Sequence, residues 1–155
     1  MRAHQHAAGA KGGQSKQALG RSAGGFTSKL HLCSSGEGNP DRFLLTAGQE
    51  HDVTKAVELT EYLPSNSSVA ADKGYDSSDF RLILLNNDIE PLIPSRSNRL
   101  YKPPYDKEKY KIRYRVECFF NKLKQNRAFA TRYDKLALSF LSGTAFLCAM
   151  ICIQG

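Results

Sequence analysis

Side chains from Gly25 to His31 sort into two alternating sets, Phe26, Ser28 and Leu30 against Thr27, Lys29 and His31. That is the period-2 pattern of a strand. A turn cluster, Ser34-Ser35-Gly36-Glu37-Gly38-Asn39-Pro40, follows, and then an apolar run from Phe43 to Thr46. Together they predict an antiparallel hairpin, with His31 an exposed strand residue. From Asp52 to Leu63 the spacing turns helical through Val53, Ala56, Val57 and Leu59, and Pro64-Ser65-Asn66 closes the helix. Ser68-Val69-Ala70-Ala71 is short and uncharged, which suits a strand buried on both faces. Asp72 follows it directly. Asp76-Ser77-Ser78-Asp79 signals a helix start, with Phe80, Ile83 and Leu84 at helical spacing behind it. Glu90–Pro94 reads as a last short strand stopped by proline. The order hairpin, helix, strand, helix, strand is that of an α/β fold.

Residues 94–106 form a basic, proline-broken connector, and a long helix is predicted from Asp106 to Arg127, with no glycine or proline inside. At 100° per residue, Tyr110, Arg113, Glu117 and Lys124 share one arc of roughly 60°. Ile112, Val116, Phe119, Phe120 and Leu123 fall on a different side, which is the core face. The polar face therefore presents a single carboxylate framed by tyrosine, arginine and lysine. An Arg113–Glu117 pair at i,i+4 is by itself an ordinary surface contact. Its company is what marks it: Tyr110 and Lys124 on the same face, and an aspartate closing a strand elsewhere.

Charge sharpens this picture. The chain of 155 residues carries +7, unevenly distributed. Residues 22–94 are net acidic and residues 95–135 strongly basic, while residues 136–155 carry no charge. An acidic middle beside a basic segment suggests carboxylates for chemistry and cations for a phosphate backbone. At 41% hydrophobic and 24% charged, the composition excludes a wholly disordered or collagen-like chain. Cys33, Cys118, Cys148 and Cys152 show neither a C-x-x-C pair nor zinc spacing, which fits a reducing compartment. With no secretory leader readable, the expected location is cytoplasmic, in association with the nucleoid. Residues 1–25 are expected to be a basic flexible segment, since 7–25 are rich in glycine and have little to bury.

The string Tyr110-x2-Arg113-x3-Glu117-x6-Lys124 resembles the Y-R-E-K signature of bacterial insertion-sequence transposases of the DDE type. Ala71-Asp72-Lys73-Gly74-Tyr75-Asp76 resembles the segment carrying their second catalytic aspartate. Gly24–His31, Gly48–Asp52 and Thr131–Lys135 are similar to blocks of the insertion-sequence-five group. The resemblance implies an RNase H-like fold over residues 26–132, incomplete at its N-terminus, with carboxylates that hold two Mg²⁺ (or Mn²⁺) ions. Carried over, Asp72 and Glu117 are the catalytic, metal-binding carboxylates, and Tyr110, Arg113 and Lys124 grip DNA at the transposon ends. The implied enzyme is a DNA phosphoryl transferase or endonuclease that cleaves strands and joins them to target DNA, at least dimeric on its substrate.

One departure bears on all of this. In the family, a D-S-T-type segment with the first catalytic aspartate precedes the stretch that resembles Arg2–Ala7. Here that border is Met1, and no aspartate occurs before Asp41. Neither Asp41 nor Asp52 matches the missing position. The expectation is a transposase portion inactive alone and completed by an upstream reading-frame product; the alternative is a non-catalytic DNA-binding remnant. Residues 133–155 hold an apolar stretch that reaches the length of a membrane span. Ser139, Ser142, Gly143, Thr144 and Gln154 dilute it, which favours a helix packed on the domain over a membrane segment.

Overall fold

The computed structural model describes residues 1–8, 13–22 and 25–154. The predicted hairpin is its backbone: β3 (Gly25–Ser34) and β4 (Pro40–Ala47) pair antiparallel from Ser28↔Ala47 to Ser34↔Pro40. β1 (Arg2–Ala3) lies against the other edge of β3 at Arg2↔Thr27, and β7 (Thr131–Arg132) runs parallel to β1. β2 (Gly20–Ser22) pairs with the start of β3. Residues 1–25 thus depart from the irregular segment expected: they supply two strands, a short helix α1 (Gly13–Lys16), and the buried Ala7 and Leu19. Strand pairing overrides the glycine-rich composition there. The part of that segment at residues 9–12, 23 and 24 lies outside the described residues.

The second half of the α/β pattern forms a separate sheet. β5 (Ser68–Ala70) and β6 (Glu90–Leu92) pair in parallel and meet no other strand among the described residues. A parallel pair needs a crossover, and α3 (Ser78–Asn86) supplies it. α2 (Ala56–Thr60), entered through a 3₁₀ turn at Asp52–Lys55, packs beside it. Val69 and Ala70 are half-buried rather than buried on both faces, because one edge of β5 has no neighbouring strand.

The predicted long helix is broken in two. α4 (Lys107–Tyr110), capped by Asp106 Oδ1 accepting from the Glu108 and Lys109 amides, runs through a 3₁₀ turn at Lys111–Arg113 into α5 (Tyr114–Gln125). Asn126 then caps a further turn, α6 (Arg127–Ala130). The C-terminal apolar segment forms α7 (Ala137–Gln154), whose Phe140, Thr144 and Cys148 are buried in the domain. Among the described residues, no helix is long and apolar enough to cross a membrane.

Two apolar clusters result, and they share no residue. One gathers Ala56, Phe80, Leu84, Ile89 and Ile93 around the β5–β6 sheet. The other gathers Phe119, Leu123, Phe129, Phe140 and Cys148, with Leu30 and Leu32 of β3 and Met1 packed against it. Ile112, placed by the helical wheel on the core face, is instead 43% exposed, since the 3₁₀ turn rotates it away from the α5 stripe.

Candidate active site

Between the two clusters lies a cavity of about 750 Å³. Asp72 and Glu117 both line it, together with Arg113 and Lys124. The chain reaches this arrangement from two directions. β5 ends at Ala70, and Asp72 caps the 3₁₀ turn Lys73–Tyr75, its Oδ1 accepting from the Gly74 amide at 2.7 Å. α5 brings Glu117 in from the other side, with Arg113 Nη2 donating to Glu117 Oε1 at 2.6 Å. In the 3₁₀ turn, side chains at i and i+3 eclipse, and Arg113 accordingly sits over the Tyr110 ring, 5.7 Å from its centroid. Tyr110 stands just outside the cavity wall. Its phenol is pushed up from the ordinary range, chiefly by burial, with the Asp72 carboxylate adding to the effect.

The Asp72 turn is held from behind. Arg96 Nε and Nη2 donate to the Lys73 and Gly74 carbonyls, at 3.1 and 2.9 Å. Four residues beyond Asp72, Asp76 is buried, with Oδ1 accepting from Arg81 Nε and Arg99 Nη1 and Oδ2 from the Arg96 amide. Asp76 was expected as part of a helix-start signal; its work is to anchor this connector. No local periodicity reveals that, because its partners lie 5 to 23 residues away.

β3 contributes a polar layer that the strand pattern misplaced. His31 is buried, not exposed, with Nδ1 3.0 Å from Tyr75 Oη and Nε2 2.9 Å from Thr46 Oγ1. Burial holds its imidazole below the ordinary histidine range. Lys29 Nζ donates to Asp52 Oδ1 at 3.1 Å and to the Glu50 carbonyl at 2.7 Å. Asp52 also approaches Asp72: a Cβ on Gly74 would lie 2.8 Å from Asp72 Oδ1 and 2.9 Å from Asp52 Oδ2. Any Cβ there would oblige one or both carboxylates to shift. Lys29 and His31 of β3 and Asp52 therefore converge on the turn that carries Asp72.

A family model described as "Transposase DDE domain" matches residues 1–151. The chain belongs to the DDE transposases. A Brucella ovis protein named "Putative transposase for insertion sequence element IS6501" is 34% identical over 130 residues, which cover 83% of this chain and 100% of that protein. The "Transposase for insertion sequence element IS1106" of Neisseria meningitidis serogroup B is 30% identical over 107 residues, 66% of this chain but 37% of the relative. No solved structure matches the chain. For a DDE transposase domain the cavity has the right kind of donors, since carboxylate oxygens suit a hard divalent cation. Their number falls short. Among the described residues, no three His, Cys, Asp or Glu side chains converge on one point, so Asp72 and Glu117 do not by themselves complete an ion site.

Proposed function

We propose that this chain is the catalytic-domain portion of an insertion-sequence transposase of RNase H-like fold, which cleaves DNA at the ends of its element and joins the freed 3′-hydroxyl to target DNA. The observation that carries the reading is the shared cavity: Asp72, from the end of a β-strand, and Glu117, from a helix 45 positions away in sequence, line it together.

The roles divide by chemistry. Asp72 and Glu117 are the metal-binding carboxylates of the completed protein, which is proposed to use Mg²⁺ or Mn²⁺, two ions, with the missing carboxylate supplied by a segment ahead of Met1. Arg113 and Lys124 are cations beside these acids and are assigned to DNA phosphates. Tyr110, stacked under Arg113, is assigned to sugar or base. Arg113 shields Glu117 until a phosphate competes for its guanidinium, an exchange that a planar fork of donors suits. The completed protein works at least as a dimer, because two element ends must be held together.

The experiment compares the 155-residue chain with the same chain joined to its upstream frame, on a duplex carrying an element end and with Mg²⁺ present. Strand cleavage by the longer product and not by the shorter is the expected result. Efficient cleavage by the shorter chain would overturn the proposal that it is incomplete.

A further inference from the structure

Two short segments outside the cavity meet on one face of the larger sheet. β1 and β7 run side by side, with Arg2 opposite Thr131 and Ala3 opposite Arg132. The His4 amide continues the ladder, donating to the Arg132 carbonyl at 2.8 Å. Side chains two apart on an extended chain share a face, so Arg2 and His4 stand beside Thr131 and Tyr133. The His4 and Tyr133 rings stack there, with centroids 4.9 Å apart and planes 25° from parallel. His6 meets His4 edge-on, with centroids 4.8 Å apart.

The stack is held from beneath. Arg132 is fully buried, and it donates from Nη1 to Ser28 Oγ at 2.9 Å and from Nε to the Asp134 carbonyl at 3.0 Å. Those bonds fix the chain on either side of Tyr133. The His6 amide donates to His4 Nδ1 at 3.3 Å and orients the imidazole. With Nδ1 accepting, the neutral ring carries its proton on Nε2, and neither nitrogen offers a metal a lone pair. His4 is therefore a stacking surface and not half of a metal pair with His6. Tyr133 remains 58% exposed although His4 covers one face of its ring. A ring fixed in place with its second face open offers that face to a flat partner.

Charge and position choose the partner. Arg2 is exposed on the same face, and Lys135 is exposed two residues past Tyr133. Asp134 is the one acid in residues 1–8 and 131–135. Ala130 lines the cavity, and three residues of chain place its Cα within about 11 Å of that of Tyr133. Lys29, two residues along β3 from the Thr27 that pairs with Arg2, lines it as well. Because β1 and β3 are antiparallel, Arg2 stands between Lys29 and the stack.

We infer that the His4–Tyr133 stack is a platform for one unpaired nucleobase of a DNA strand that leaves the cavity past Arg2. The base lies on the open face of Tyr133, and Arg2 and Lys135 take the flanking phosphates. Such a platform accepts any base, because every base has a π-face. A base inside a duplex has both faces covered by its neighbours, so the strand on the platform is single or frayed.

The inference rests on the functional reading above only in taking DNA as the ligand; its test needs neither metal nor cleavage. The 155-residue chain is titrated into a short thymine-rich single strand with 2-aminopurine at its centre, a base whose fluorescence is quenched by stacking. Quenching on binding is expected. Tyr133→Leu should abolish it and weaken binding at least about fivefold, the low end of one base–aromatic stack, while Tyr133→Phe keeps both. Arg2→Gln should instead lower the slope of log affinity against log salt by about 0.7, which Tyr133→Leu leaves in place. No quenching by the unsubstituted chain, or equal quenching and affinity in Tyr133→Leu, would overturn the platform. Loss of both in Tyr133→Phe would assign the effect to the hydroxyl and overturn it too. Quenching that depends on Tyr133, with no cleavage by the frame-joined product, would leave the platform standing and sink the functional reading. Cleavage by that product, with Tyr133→Leu silent on the single strand, would sink the platform alone.

Discussion

Asp72 and Asp76 lie on one connector, four residues apart, and the molecule treats them in opposite ways. Asp76 is buried and fully engaged: two guanidinium groups and a backbone amide saturate its oxygens. Asp72 is exposed, accepts one bond from its own turn, and opens onto the cavity that Glu117 shares. A carboxylate whose oxygens are all spoken for holds structure. One left with free lone pairs on a cavity wall is available for a ligand. The difference teaches that the basic residues of the 95–135 segment serve two purposes. Arg96 and Arg99 fasten the scaffold, while Arg113 and Lys124 face the cavity.

The largest expected effect breaks the scaffold side of this contrast. Asp76→Ala leaves the buried Arg81 guanidinium without its carboxylate and should cost about 3–5 kcal/mol in urea unfolding. The same pair makes the fold acid-sensitive. Burial alone would raise the Asp76 carboxyl, but the Arg96 amide and the Arg81 and Arg99 guanidinium groups outweigh it and hold it below the usual range. Its contribution is therefore full above the unfolded carboxyl value near 4 and is lost as pH falls through the lower folded value. Unfolding midpoints measured from pH 6 down to pH 2 should show that loss, and Asp76→Asn should flatten it.

His31→Ala comes next, at about 1–3 kcal/mol, since it strips partners from Thr46 Oγ1 and Tyr75 Oη in a buried layer. Its imidazole is depressed in the fold, so the stability it confers is present above about pH 6.5 and declines as pH falls below that. Comparison of the urea midpoints at pH 7 and pH 5 should show the drop, and His31→Gln should reduce it. Asp72→Asn sits at the small end. Its side-chain carbonyl can still accept from the Gly74 amide, so stability should change by less than about 1 kcal/mol. Smallest of all is Arg113→Ala, a few tenths of a kcal/mol for a half-exposed i,i+4 pair. A large loss of stability in either of the last two would place those residues with Asp76, among the scaffold.

Much of this was legible in the sequence. The hairpin, the Asp72 strand and its crossover helix follow from period-2 and helical spacing, and Asp106 caps a helix where the pattern starts one. The helical wheel collected Arg113, Glu117 and Lys124, which do line one cavity, although a 3₁₀ turn sets Tyr110 just outside it. What stayed hidden depends on tertiary pairing. His31 looks like any polar residue on the outer side of a hairpin until Tyr75 and Thr46 close over it. The strands at Arg2–Ala3 and Gly20–Ser22 carry no strand pattern of their own and exist because β3 offers them an edge. Asp76 reads as a helix-start residue, and only folding brings Arg96 and Arg99 to it.

The central claim is that Asp72 and Glu117 serve one site. Its most direct test is Mn²⁺ binding, followed by electron paramagnetic resonance, in the frame-joined product and in its Asp72→Asn and Glu117→Gln variants. Each substitution is predicted to weaken binding at least about tenfold, since losing a direct ligand costs no less than losing the group behind one. Unchanged Mn²⁺ binding in Glu117→Gln would assign Glu117 to Arg113 alone and contradict the account.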